Sequence, residues 1–94
     1  MPQPSPAEQM EELYPEYNNR LRGCEIPVFL DLTSKGKSAD VVAASIVYAR
    51  HLCLEQFDKM RQEDVAEEFE VSMYSIRQNY HDICERYPEI FNIG

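Results

Sequence analysis

An all-α fold, with about five helices around a buried central helix, is what this sequence predicts. Three observations carry that expectation. The segment Val41–Leu54 is apolar on nearly every side, holding Val41, Val42, Ala43, Ala44, Ile46, Val47, Tyr48, Leu52 and Leu54. A helix apolar all round is buried all round. Near the C-terminus, Ile76, Tyr80, Ile83 and Tyr87 recur at spacings of four, three and four, which place them on one face of a helix. Between such segments stand Pro15, Gly23, Gly36 and Pro88, residues that break or end regular structure.

The elements follow in order. Met1–Pro6 is Pro-rich and reads as a disordered or extended lead-in. Ser5 then caps a first helix, with Pro6 at its first position, running through Met10 and Leu13. Pro15 breaks or kinks it, and Tyr14, Tyr17 and Leu21 continue an apolar face beyond the break. Gly23 is a stop. A second helix starts near Pro27 and uses Val28, Phe29, Leu30 and Leu32, a run whose period alone does not separate helix from strand. Thr33–Lys37 is a polar turn. Ser38 caps the central third helix, with Asp40 in its first turn. Asp58–Arg61 is a charged connection. A fourth helix spans Gln62–Phe69, with Val65, Ala66 and Phe69 inward. A tight turn at Glu70–Ser72 leads to a fifth helix, capped by Ser72 and ended by Pro88. Ile90, Phe91 and Ile93 form an apolar tail that folds back. The domain plan is a lead-in at 1–6 and one helical domain at 7–94.

Composition sets the bounds. Ninety-four residues suit one small domain, and 44% hydrophobic content supplies a modest core. No apolar run approaches the ~20 residues of a membrane helix. The N-terminus lacks a basic region followed by an apolar block, so a soluble intracellular protein is expected. The opening Met and Pro-rich start favour a complete small protein. Three cysteines (Cys24, Cys53, Cys84) form no CxxC pair, so reduced, partly buried thiols are expected, with neither a metal nor a cofactor.

The net charge is −8, which disfavours indiscriminate nucleic-acid binding. Its distribution is uneven: −4 over residues 1–34, +2 over 35–62 and −6 over 63–94. The positive stretch lies just ahead of the last helix pair. Lysine is scarce (Lys35, Lys37, Lys59); an acidic, lysine-poor surface is also what a salt-rich cytoplasm favours.

Residues 62–87 carry the functional signal. Two helices joined by a three- to four-residue turn define a helix-turn-helix. Ala66 is small where the helices would cross, and Val65, Phe69, Val71 and Ile76 fill the space beneath. Tyr74, Arg77, Gln78 and His81 are left on the outer face, whose first turns enter the major groove in DNA-binding members of this motif. Many helical pairs with no DNA role share the pattern. The Glu-rich run is most simply a solvated face. His51 reads as a core or boundary residue and His81 as a solvated one. Neither belongs to a catalytic array; His81 and Cys84, three apart on one helix, are an incidental pair. No enzyme activity and no small-molecule substrate are expected.

A resemblance sharpens this reading. Gly36-Lys37-Ser38, the Ala-rich stretch Val41–Ala49, Lys59, Gln62, Val65-Ala66, and the run from Val71 to Tyr80 fall in an order and spacing that resemble the second cyclin-like repeat of transcription factor IIB and its archaeal counterpart. The likeness covers about residues 35–91. Its most specific part is Ser75-Ile76-Arg77-Gln78-Asn79-Tyr80, with Tyr87-Pro88-Glu89-Ile90-Phe91 after it. The resemblance implies a cyclin-like helical repeat whose helix-turn-helix reads the B-recognition element beside the TATA box. Tyr74 and Arg77 would then contact bases, and Lys37, Lys59 and Arg61 would lie near phosphates. Ser72, Ser75 and Gln78 complete the DNA-facing set. The implied partners are double-stranded promoter DNA, bound weakly by the domain alone, and the TATA-binding protein or another transcription component. The implied place is the cytoplasm of an archaeal-type cell or a eukaryotic nucleus. Within the matched stretch the chain departs from the family in three ways. Glu70 stands where a turn glycine is common, and a left-handed Glu costs on the order of 1 kcal/mol. Tyr74 replaces a small aliphatic residue. Glu63, Asp64, Glu67, Glu68 and Glu70 crowd the first helix of the motif, where they would repel phosphate. A protein-docking module for a basic partner, without direct DNA contact, is the alternative expectation.

Overall fold

A computed structural model describes residues 5–53 and 61–91, excepting the Cys53 side chain. Six helices lie among the described residues, with no strand: α1 (Pro6–Leu13), α2 (Pro15–Asn18), α3 (Ile26–Ser34), α4 (Ala39–Cys53), α5 (Gln62–Phe69) and α6 (Met73–Arg86). The all-α expectation holds. Six helices stand where about five were expected. Pro15 opens α2 rather than simply breaking the first helix. At a first helical position its missing N–H is not needed, and its fixed φ suits the turn. Tyr14, at φ −136° and ψ 60°, is the non-helical link between the two helices, since a residue before proline is disfavoured in the α region.

Ser5 caps α1 through its Oγ, which accepts the Glu8 N–H at 3.3 Å. Met10 is fully buried, but Leu13 is 62% exposed. Helix α1 runs to Leu13 as expected, and the apolar face continues beyond the break through Tyr14, Tyr17 and Leu21, while Leu13 itself turns to solvent. Tyr14 and Tyr17 take its place against Phe29, with ring centroids 5.0 and 5.6 Å away. The short apolar run after Gly23 is helical. It buries Ile26, Val28, Phe29 and Leu32.

Helix α3 ends with the Gly36 N–H bonded to Thr33 O (3.1 Å) and the Lys37 N–H to Leu32 O (3.4 Å). This paired closure needs a left-handed residue, and Gly36 supplies it at φ +90°. The turn redirects the chain into α4. There every residue from Val42 to Val47 is buried, as is Ala49. The buried Ser45 hydroxyl donates to Val41 O at 2.7 Å, so no polar group is stranded. Helices α3, α5 and α6 pack around α4, and Tyr48 meets Tyr80 edge-on at 4.9 Å. The expected central helix is thus the observed one. Leu54, the residues 1–4 of the lead-in, residues 58–60 of the charged connection and Ile93 lie outside the described residues.

Two polar contacts fasten this shell. Glu25 is 2% exposed. Its carboxylate accepts Arg50 Nε at 2.8 Å and Arg50 Nη2 at 2.5 Å, together with the Arg22 N–H at 2.8 Å. Arg50 Nη2 also donates to Arg20 O at 2.7 Å. The chain ahead of α3 is thereby riveted to α4. At the other end, the Tyr87 hydroxyl donates to Asp31 Oδ2 at 2.6 Å, and Lys35 lies 3.3 Å from the same oxygen. Those bonds, led by Tyr87, hold the Asp31 carboxyl below its ordinary range and raise the Tyr87 phenol. The C-terminal apolar tail folds back as expected over its described part, with Phe91 buried and Ile90 half-buried. Cys84 is half-buried, but Cys24 is exposed. It sits in the turn ahead of α3, which has no core face.

Arg50→Ala leaves the Glu25 carboxylate buried without its main partner. Such a loss is expected to destabilise the fold by about 3–5 kcal/mol, read from denaturant unfolding. His51, half-buried beside this pair, has its pKa lowered by desolvation first and then by Arg50 and Arg22, against smaller opposing effects of Glu25 and Glu68. The unfolded chain therefore binds this proton more readily. The stabilisation is full above the unfolded-state pKa of about 6.5 and is lost as pH falls through the lower folded-state value. Thermal midpoints should drop between about pH 7 and 5, and His51→Gln should flatten that part of the profile relative to wild type.

Candidate functional site

The α5–turn–α6 unit is built by local rules. Asp64 accepts the Arg61 N–H at 3.2 Å and so closes the start of α5. Val65, Ala66 and Phe69 face inward. The helix ends as α3 does: the Glu70 N–H bonds Glu67 O (3.3 Å) and the Val71 N–H bonds Ala66 O (3.0 Å). Here the left-handed position is held by Glu70, at φ 56° and ψ 44°. Ser72 then caps α6, its Oγ accepting the Ser75 N–H at 3.1 Å. The inward stripe stands as expected, with Ile76 and Ile83 buried and Tyr80 and Tyr87 half-buried.

Tyr74, Arg77, Gln78 and His81 are exposed on the outer face of α6. At about 100° per residue they share one outward sector. Their surroundings are polar and local. Arg77 Nη2 donates to Gln62 Oε1 at 3.4 Å, which brings the start of α5 to one edge of that sector. Gln78 Nε2 donates to the Tyr74 hydroxyl at 2.6 Å. His81 lies 3.6 Å from Glu85. At the opposite edge, Lys37 Nζ donates to Asn79 Oδ1 at 3.0 Å and lies 3.9 Å from Asp82. Asn79 in turn donates to Ser75 O at 2.7 Å. The Gly36 turn therefore delivers Lys37 to α6, forty-two residues downstream.

The remaining candidates fall into place unevenly. Ser72 and Ser75 share a hydrogen bond of 2.8 Å between their hydroxyls; Ser75 is half-buried and serves the cap. The Arg61 side chain is 81% exposed and lies 3.8 Å from Glu63. Lys59 is outside the described residues. Glu63, Asp64, Glu67, Glu68 and Glu70 are all exposed on or next to α5. Only part of that charge is offset: Glu68 pairs with Arg20 at 3.1 Å, and Arg20 lies over the Phe69 ring at 4.9 Å.

Sequence reasoning missed the Asn79 and Asp82 partners of Lys37. Asn79 sits between Gln78 and Tyr80 and has no periodic signature; only the fold brings the α3–α4 turn beside it. Beside this face, a cleft of about 590 Å³ is lined by Leu52, Tyr80, His81, Cys84, Pro88 and Phe91 among others. His81 and Cys84 thus do share a wall. No group of three or more His, Cys, Asp or Glu side chains suited to a metal ion occurs among the described residues.

No protein-family model matches the chain, and neither a curated protein nor a solved structure matches it. Among the described residues no helix is long and apolar enough to cross a membrane.

Glu70→Gly removes the left-handed strain and a carboxylate from the negative end of α5. A gain of about 0.5–1 kcal/mol is expected, since glycine's looser unfolded chain offsets part of the relief. Matched denaturant curves for the two proteins check the sign.

Proposed function

We propose that this chain is a transcription-factor-IIB-like DNA-binding module that meets promoter duplex through α6. The observation that supports it most is the outward sector of α6. Arg77 stands there beside Tyr74 and Gln78, one residue past the buried Ile76, in the second turn of a helix with a firm cap. The guanidinium fork of Arg77 suits the O6 and N7 acceptors of guanine. Arg61, at the start of α5, is free enough of burial to reach a phosphate, and Lys37 sits along the opposite edge. Lys59 and the serine hydroxyls belong to the same reading by resemblance. Binding is the role; the reading assigns no catalysis.

Electrostatics limit the affinity. Glu63 on α5 lies 3.8 Å from Arg61, well within the ~8 Å Debye length of ~0.15 M salt, so such acids are not screened away. The domain alone then binds weakly, best at low salt or beside a partner such as the TATA-binding protein already on the DNA. Such a module works in the cytoplasm of an archaeal-type cell or in a nucleus. The same acids, with Met73 44% and Tyr74 66% exposed side by side, favour the second reading, a docking module for a basic protein partner.

Arg77→Ala separates the two. On the preferred duplex a lost base contact should cost about 1–3 kcal/mol, and on a scrambled duplex little. Fluorescence anisotropy at several salt concentrations is the measurement. Wild type that binds neither duplex at low salt, even with a TATA-binding partner present, leaves the docking reading in its place.

A further inference from the structure

Tyr74 and Gln78 stand one helical turn apart on the outer face of α6. Both are exposed, and yet they are bonded to each other: Gln78 Nε2 donates to the Tyr74 hydroxyl at 2.6 Å. An exposed glutamine ordinarily spreads over many rotamers and loses that freedom on binding. Here the phenol holds the amide in advance. It takes one of the two amide N–H groups. The other N–H and the carbonyl oxygen are left facing out, a donor beside an acceptor. That pair complements the N7 acceptor and N6 donor that adenine shows in the major groove. Arg77 is the adjacent residue, and its fork complements guanine. Consecutive side chains on a helix diverge by about 100° and rise about 1.5 Å, which directs them to different base pairs.

We propose that Gln78 is a specificity-determining residue that reads an adenine next to the base pair met by Arg77, with Tyr74 as its positioning residue. This rests on the DNA-binding reading and adds the base it selects. Tyr74 acts through its hydroxyl; the ring alone would serve an apolar or protein contact equally well. The exposed aromatic is thus explained by its bond to Gln78 and not by a buried surface.

The test uses the full chain at low salt against duplexes that vary each position of a promoter-like site through all four base pairs. Wild type should prefer adenine at one position. Gln78→Ala should lower that preference by about tenfold, within the range of one bidentate base contact. Tyr74→Phe, which keeps the ring and removes only the oxygen, should lower it by about three- to fivefold, less than complete loss of the same contact. Thermal midpoint and affinity for unrelated duplex should stay level in both variants. Arg77→Ala should relax guanine preference and leave the adenine preference in place. If Tyr74→Phe retains the full adenine preference, or wild type binds duplex with none, the inference fails while the DNA-binding reading stands. If wild type binds no duplex at low salt, alone or beside a TATA-binding partner, both fail together.

Discussion

Helix α4 presents buried residues on all sides from Val42 to Val47, and the placement of the other helices follows from the need to cover it. A helix sealed in this way gains nothing from solvent and everything from its neighbours. Ala43, Ala44 and Ser45 keep its surface narrow, so that α3, α5 and α6 reach it together. In a chain of 94 residues this leaves little material for a second layer. Helices α3, α5 and α6 are held by what they touch on α4, α1 by its packing on α3, and the whole by a few polar ties. The Glu25–Arg50 pair stands out among these, because the Glu25 carboxylate is buried and the partly exposed Arg50 satisfies it bidentately. Once formed it is costly to break, whatever its net worth against an apolar pair.

The same packing fixes the orientation of α6. Its inward stripe lies on α4, Tyr87 ties its far end to Asp31, and Lys37 meets its middle from the α3–α4 turn. The near end is set by the Ser72 cap and the left-handed Glu70. With the buried side and both ends fixed, the remaining sector is presented rigidly. On the proposed reading this suits binding, since a side chain already held in place loses less freedom on contact with a partner. The Tyr74–Gln78 bond extends that order to the outermost atoms of the face.

Charge pulls the other way. The α5 acids stand next to the few basic groups of the motif, and Arg61 and Arg20 are each within ion-pair reach of one of them. On the proposed DNA-binding reading, a surface arranged like this would discriminate more than it attracts, since the acids oppose loose binding to phosphate. Strained Glu70 adds to this local acidity at the turn where glycine would relieve it.

Most of the architecture was legible in the residues. The four-three-four stripe, the Ser5 and Ser72 caps and the all-round apolarity of α4 depend on spacings of a few residues, and local spacing is what a sequence states directly. The Glu70 turn stood out only as the place where helix-turn-helix proteins commonly carry a glycine. The restart at Pro15 and the exposure of Leu13 were not legible, because each depends on which distant side chain takes the space: Tyr14 and Tyr17 fill around Phe29, and Leu13 is left out. The candidate site divides in the same way. Arg77 and Tyr74 could be placed on an outer face by counting from Ile76. The rivet of Arg50 to Glu25 spans twenty-five residues and that of Lys37 to Asn79 forty-two. Such pairings have no period, so only the tertiary structure, by closing the chain around α4, decided them.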